Sequence, residues 1–121
     1  MDYYADITAA GLSLMAFDDG VPVAIALSTV QAWNGSFWLQ EFHVVPDYHG
    51  RGVGRLLMDA VKERARSSGC RTIVCETQNT NVPAIRFYRR MGFRIEAVDI
   101  SLYGNDDLDH EVALFMKCPL R

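Results

Sequence analysis

The chain lacks the features that mark several large protein classes. Its 12 Lys and Arg stand against 15 Asp and Glu, so it has no basic excess and a formal net charge of −3. A general nucleic-acid or membrane-surface protein is therefore not expected, because such proteins need a broad basic field. Neither a signal peptide nor an apolar run long enough to span a bilayer is found.

Cysteine is also scarce and shows no framework. Cys70, Cys75 and Cys118 form no C-x-x-C pair and no zinc-type spacing. An odd number of cysteines without a pattern favours a reducing, cytoplasmic location and thiols that serve as small apolar side chains. No metal is predicted. The 121 residues, half of them apolar, predict one domain over residues 1–121 with a real core.

Turn-forming pairs divide the N-terminal half into a meander of three strands, at 12–17, 21–30 and 36–45. The turns are Asp19-Gly20 and Asn34-Gly35. Residues 1–11 carry no clear pattern. In the third strand, a period of two predicts two faces. One face would carry Phe37, Leu39, Glu41, His43 and Val45, and the other would carry Trp38, Gln40, Phe42 and Val44.

A βαβ unit follows the meander. A glycine-rich loop leads into a helix over 52–68 and then a strand over 71–77, which we expect to run parallel to the third strand and next to it. The helix carries one apolar stripe, formed by Val53, Leu56, Leu57, Ala60, Val61 and Ala65. A second helix is predicted from its N-cap Asn81 to Gly92, followed by strands at 93–103 and 111–117 that pair antiparallel. The fold class is α/β, a mixed sheet with helices packed on it.

The glycine-rich loop predicts a phosphate site. Its glycines precede a helix, where backbone N–H groups lack partners inside the helix and attract anions. The P-loop string is absent, and the dinucleotide fingerprint fails because its last position falls on Arg55 or Leu57. The loop reads PDYHGRGVG and follows a strand.

Two strings together resemble the GNAT superfamily of N-acetyltransferases. The loop resembles that family's acyl-coenzyme A motif (Gln or Arg, two residues, Gly, one residue, Gly or Ala), with His49 in the first position. A second string, NVPAIRFYRRMGF, starts at Asn81 and matches N-x-x-A-x-x-(F/L)-Y-x-x-x-G-F. CETQNTNVPAIRFYRRMGF, VDISLY and EVALF look most similar to streptothricin acetyltransferases. The resemblance implies a GNAT-like acyl-CoA N-acyltransferase fold that lacks most of the usual N-terminal strand and helices.

The resemblance also implies a cosubstrate, acetyl-CoA, and residues that bind it. The backbone of residues 51–55 would hold the pyrophosphate with added charge from Arg51 and Arg55, and Val44 would bond the pantetheine arm. Tyr88 would be the general acid. The full set of predicted cofactor-binding residues is His43, Val44, His49, Gly50, Arg51, Gly52, Val53, Gly54, Arg55, Asn81, Ala84 and Tyr88.

Amine acetylation needs a base, since an alkyl ammonium is not nucleophilic at neutral pH. Glu41 is the candidate by position, and His43 is a second candidate. The acceptor stays open among an antibiotic amine, a metabolite amine and a protein amine. A homodimer is expected to cover sheet surface that the usual N-terminal helices would hide. The alternative function is a coenzyme A-binding module without catalysis.

Overall fold

Seven strands of the described chain form one mixed sheet, in the order β1-β2-β3-β4-β5-β7-β6. The computed structural model describes residues 12–104 and 111–120, and the backbone of residues 3–7. The strands are β1 (Tyr3–Ile7), β2 (Leu14–Asp18), β3 (Val21–Gln31), β4 (Ser36–Val44), β5 (Thr72–Gln78), β6 (Arg94–Asp99) and β7 (Ala113–Pro119). The helices are α1 (Val53–Ser67) and α2 (Val82–Arg90), with a 3₁₀ turn at Pro46–Tyr48.

The predicted order of elements is confirmed, apart from one additional strand and one strand that ends earlier than predicted. Strand β1, which the sequence analysis did not predict, pairs antiparallel with β2. Strand β6 ends at Asp99 rather than at Tyr103, because the Asp99 carboxylate accepts the Ser101 N–H at 3.0 Å and turns the chain. As predicted, β4 and β5 are parallel neighbours and β6 pairs antiparallel with β7.

Helices α1 and α2 pack side by side on one face of the sheet. Both crossovers advance in the same direction across the sheet, and right-handed crossovers then put both helices on the same side. The ammonium group of Lys62 in α1 donates to the carbonyl of Met91, just after α2. The buried stripe of α1 contains Met58 in place of the predicted Leu56, which is 49% exposed. The stripe is therefore rotated slightly from the one the sequence predicted.

A β-bulge at Gln40 decides which way the end of β4 faces. Leu39 pairs with Ser28 and Glu41 pairs with Leu27, so Gln40 has no counterpart on β3. Glu41 and Leu39 therefore point to opposite faces, because Leu27 and Ser28 do. The predicted two-residue alternation is wrong beyond Leu39. As a result, Phe42 packs against the core and Glu41 is exposed on the face away from the helices.

Candidate active site

Strands β4 and β5 separate where the bulge occurs. Their ladder joins Ser36–Leu39 to Thr72–Cys75 and goes no further, although β4 runs on to Val44 and β5 to Gln78. Two clefts open at this separation. The first, about 590 Å³, lies between the glycine-rich loop, the end of β4 and α2, and we call it the basic cleft. The second, about 390 Å³, lies between β4, β5 and the start of α2, and we call it the acidic cleft.

The glycine-rich loop forms the rim of the basic cleft. Gly50 and Gly52 have φ angles of +73° and +85°, which glycine adopts without strain, and a Cβ on either would meet nothing within 4 Å. Gly52 is the N-cap of α1 and offers no side-chain hydrogen bond. The first helical bond is Leu56 N–H to Gly52 O, so the three preceding amides have no acceptor within the helix. The loop thus has open space and amide donors for an anion.

Gly54 is needed for a different reason from its two neighbours. A Cβ at Gly54 would come within 3.2 Å of the Phe87 ring in α2 and 3.6 Å of Val44 Cγ2. The missing side chain lets α1, α2 and β4 meet closely under the loop. The sequence analysis assigned this glycine to phosphate approach, and its tertiary contact adds a packing role.

Two arginines and two histidines line the basic cleft, and none of its described lining residues is a carboxylate. These four residues are His43, His49, Arg55 and Arg90. Sequence reasoning missed Arg90, although it follows Pro83 and Phe87 at helical spacing and so shares the face of α2 that lines the cleft. This composition suits a polyanion such as a pyrophosphate.

All the predicted cofactor-binding residues except Arg51 and Val53 line the basic cleft. The Arg51 guanidinium stacks on the Tyr48 ring at 4.5 Å from its centroid and donates to the Asp47 carbonyl at 3.5 Å. The Val53 side chain is fully buried in the core, so its backbone amide is what it can offer a ligand.

The free edge of β4 faces the gap between the strands. Val45 N–H donates to Val23 O on β3, so by strand alternation the polar groups of Val44 point away from β3. His49 Nε2 lies 2.7 Å from Val44 O. His49 therefore ties the loop to the strand edge at the carbonyl that precedes the turn.

Tyr88 lies where the two clefts meet. It lines both, together with Phe42, Asn81 and Ala84, and is 9% exposed. Its ring packs against Phe42 and Phe87, and within the described part of the chain its hydroxyl has no hydrogen-bond partner. Burial raises the Tyr88 pKa well above its ordinary value, and the nearby Cys75 and Glu41 raise it further. The hydroxyl therefore keeps its proton at neutral pH.

Asn81 has the structural role that the sequence predicted. Its side-chain oxygen accepts the Ala84 N–H at 3.3 Å and caps α2. Asn81 lines both clefts, so a ligand in either one can contact its side chain.

The acidic cleft contains two carboxylates and no Lys, Arg or His among its described lining residues. Glu41 comes from β4 and Glu76 from β5, while His43 lines only the basic cleft. Glu76 accepts a hydrogen bond from the Tyr103 hydroxyl. The sequence analysis singled out neither Glu76 nor Tyr103, because 27 residues separate them. The one available signal was the position of Glu76 two residues after Val74, which puts both on one face of β5.

Sequence comparison assigns the family. Residues 1–93 match the Acetyltransferase (GNAT) family. The chain belongs to this family. The streptothricin acetyltransferase of Streptomyces lavendulae is 37% identical over 101 residues, which are 84% of this chain and 53% of that protein. The chain thus spans about half the length of the curated relatives it matches.

Solved structures of the same family superpose closely. A nourseothricin acetyltransferase matches 90% of this chain and 65% of its own with a TM-score of 0.83 and 36% identity. A Bacillus anthracis str. Ames protein crystallised with acetyl coenzyme A matches 88% of this chain and 61% of its own, with a TM-score of 0.83 and 28% identity. The predicted fold class and family are confirmed. Within the described residues, neither helix combines the length and apolarity needed to cross a membrane.

Proposed function

We propose that this GNAT protein transfers the acetyl group of acetyl-CoA to a primary amine of a cationic small molecule. One observation carries the proposal: Tyr88, whose hydroxyl has no hydrogen-bond partner among the described residues, lies at the junction of two clefts of opposite charge. An acetyl donor with several phosphates suits the basic cleft, and an ammonium suits the acidic one.

The donor side rests on the loop and on the edge of β4. Amides of Val53, Gly54 and Arg55 at the start of α1 suit the pyrophosphate, with Arg55 and Arg90 adding charge. Arg51 has its guanidinium turned to Tyr48 and contributes through its backbone and long-range charge. At the free edge of β4, the Val44 N–H faces the amide-bearing arm of coenzyme A, since His49 already contacts the Val44 carbonyl.

The transfer itself needs several proton movements. Glu41 takes a proton from the acceptor ammonium, directly or through water, so that the neutral nitrogen can attack the thioester carbonyl. The N–C bond forms, the C–S bond breaks, and the departing thiolate receives the Tyr88 proton. The acetylated nitrogen then loses its second proton, which restores the Tyr88 hydroxyl, and Glu41 releases its proton to solvent. The raised Tyr88 pKa keeps the hydroxyl protonated at neutral pH but also makes it a weaker acid, so the support for this role is its place at the junction of the two clefts. His43, which lines the other cleft, is the weaker candidate for the base.

The acceptor is proposed from cleft chemistry and from the relatives. Streptothricin and nourseothricin acetyltransferases are similar to this chain over most of its length. The two carboxylates of the acidic cleft suit the amino group of a cationic small molecule.

Two further features belong to the same proposal. A homodimer that leaves the acidic cleft open is supported by the remainder of the sheet face opposite α1 and α2, which no described helix covers. Three buried, unpaired cysteines support a reducing, cytoplasmic location. Sedimentation velocity that showed a stable monomer would contradict the dimer.

Acetyl-CoA binding and turnover test the function directly. Isothermal titration should give a one-to-one complex, and acetylation of an amine panel that includes streptothricin should follow. Arg55→Gln should weaken acetyl-CoA binding about tenfold, as expected for one charge-assisted contact. The matched control is Arg66→Gln, an exposed arginine further along α1 that pairs with Glu63. Binding without turnover of any amine would favour the non-catalytic module, and no binding at all would contradict the proposal.

A further inference from the structure

The two carboxylates of the acidic cleft lie on the same face of the sheet. Val74 is paired with Trp38, and Glu76 follows it on that face by alternation. Glu41 joins the same face because the bulge at Gln40 reverses the alternation after Leu39. The carboxylates therefore stand on opposite sides of the gap between β4 and β5.

Glu76 is held in place from a distant part of the chain. Tyr103, in the turn after β6, donates its hydroxyl hydrogen to Glu76 Oε2. Among the described residues, neither Glu41 nor Glu76 forms an ion pair with a basic side chain. Tyr103 thus orients Glu76 while leaving its negative charge unneutralised.

Two carboxylates that line one concavity, with no basic side chain among its described lining residues, make the cleft attractive to a cation. An independent feature indicates that a ligand enters the cleft here. The Tyr88 hydroxyl lines the same cleft, belongs to a side chain that is 9% exposed, and has no partner within the described residues. A ligand there would meet Glu41 near Tyr88 and Glu76 across the gap.

We propose that the acceptor carries at least two amino groups, with Glu76 binding the amine that does not react and Tyr103 positioning Glu76. This inference rests on the proposed function. Glu41 and Tyr88 serve the reacting amine, and Glu76 selects acceptors with a second ammonium group. Glu76 is a specificity residue, and Tyr103 is a positioning residue because it acts through Glu76.

Acceptors that differ only in a second amino group measure what that group contributes. We would compare n-butylamine with 1,4-diaminobutane, and repeat the comparison for diamines of three to six carbons with their monoamine counterparts. The diamine should be preferred about tenfold in kcat/KM, the size expected for one charge-assisted contact. The preference should appear in KM rather than in kcat, and it should shrink in high salt because screening weakens the ion pair.

Variants then assign the preference to Glu76. Glu76→Gln should reduce the ratio of diamine to monoamine kcat/KM from about ten to about one, and Tyr103→Phe should reduce it about threefold. The control Glu63→Gln removes an equal charge from the surface of α1 and should leave the ratio at its original value. Equal use of both amines by the unaltered protein, or an equal loss for both amines in Glu76→Gln, would overturn the inference.

A binding titration separates this inference from the proposed function. Acetyl-CoA affinity is measured first, and 1,4-diaminobutane is then titrated into the protein with and without coenzyme A. Diamine binding that Glu76→Gln weakens about tenfold supports the inference even where no acetylation is detected. Diamine binding that is absent, or that Glu76→Gln leaves unaltered, overturns the inference, whereas absent acetyl-CoA binding contradicts the proposed function.

Discussion

Replacing Tyr88 with Phe should make the protein slightly more stable and much less active. Tyr88 is 9% exposed, its hydroxyl has no hydrogen-bond partner among the described residues, and its ring is already held by Phe42 and Phe87. A buried polar group without a hydrogen bond costs about 1–3 kcal/mol. The hydroxyl is not fully buried and borders two clefts that water can enter, so we expect a gain of no more than about 1 kcal/mol in unfolding free energy.

The rate should change in the opposite direction. If Tyr88 protonates the departing thiolate, its loss should lower kcat by about 100-fold, the lower end of the range for general acid catalysis. This corresponds to about 2.7 kcal/mol in the barrier. Acetyl-CoA affinity should change little, because the ring and its contacts remain. Gain of stability with loss of rate distinguishes a catalytic hydroxyl from a structural one.

Alkaline pH gives a second measurement on the same pair of proteins. The Tyr88 pKa is higher in the folded protein than in the unfolded chain. Below pH 10, the ordinary pKa of tyrosine, Tyr88 is protonated in both states, so its full contribution to the free energy of unfolding is present. Above that pH the unfolded chain ionises first, and the contribution is lost as pH rises toward the folded pKa. Burial also raises the Cys75 pKa, to about 12, but this affects both proteins equally.

Urea unfolding at pH 8 and pH 11 together with steady-state kinetics provides the assay. The stability advantage of Tyr88→Phe should widen at pH 11. A loss of more than about 1 kcal/mol at pH 8 would mean that the hydroxyl has a structural partner. An unchanged kcat would remove Tyr88 from the mechanism.

Two other predictions concern the loop and the thiols. Gly52→Ala should lower the unfolding free energy by about 1 kcal/mol in urea titrations, because its φ of +85° disfavours any residue with a Cβ; unchanged stability would contradict the assigned N-cap geometry. Cys70, Cys75 and Cys118 should not react with a disulfide reagent at pH 8 until the protein is unfolded in guanidinium, because all are buried and burial raises their pKa values. Rapid labelling of the native protein would count against this packing.

Much of the site could be predicted because its signals are local. The turns at Asp19-Gly20 and Asn34-Gly35 and the Asn81 cap each depend on a few consecutive residues, and the sequence predicted them correctly. The parallel pairing of β4 with β5 also followed from chain order and crossover handedness. The roles predicted for Glu41 and Tyr88 remain predictions.

Other features could not be predicted because they depend on residues far apart in the chain. The bulge at Gln40 is an extra residue in β4 relative to β3, and the alternation of residues along β4 alone cannot reveal it. The Gly54–Phe87 contact joins two helices through the fold. The hydrogen bond between Tyr103 and Glu76 spans the turn after β6 and strand β5.

The sequence by itself determined where the chain turns, where its helices begin and which strings mark the family, since short-range sterics and backbone hydrogen bonding set these. Tertiary structure decided how β4 and β5 part, and which charges then gather in each cleft. A bulge reverses one strand end, and packing across the sheet carries Glu41 and Glu76 to one side and Arg55 and Arg90 to the other. The separation of acidic from basic side chains depends on residues that are neighbours in space but distant in the chain, so no single stretch of the sequence could predict it.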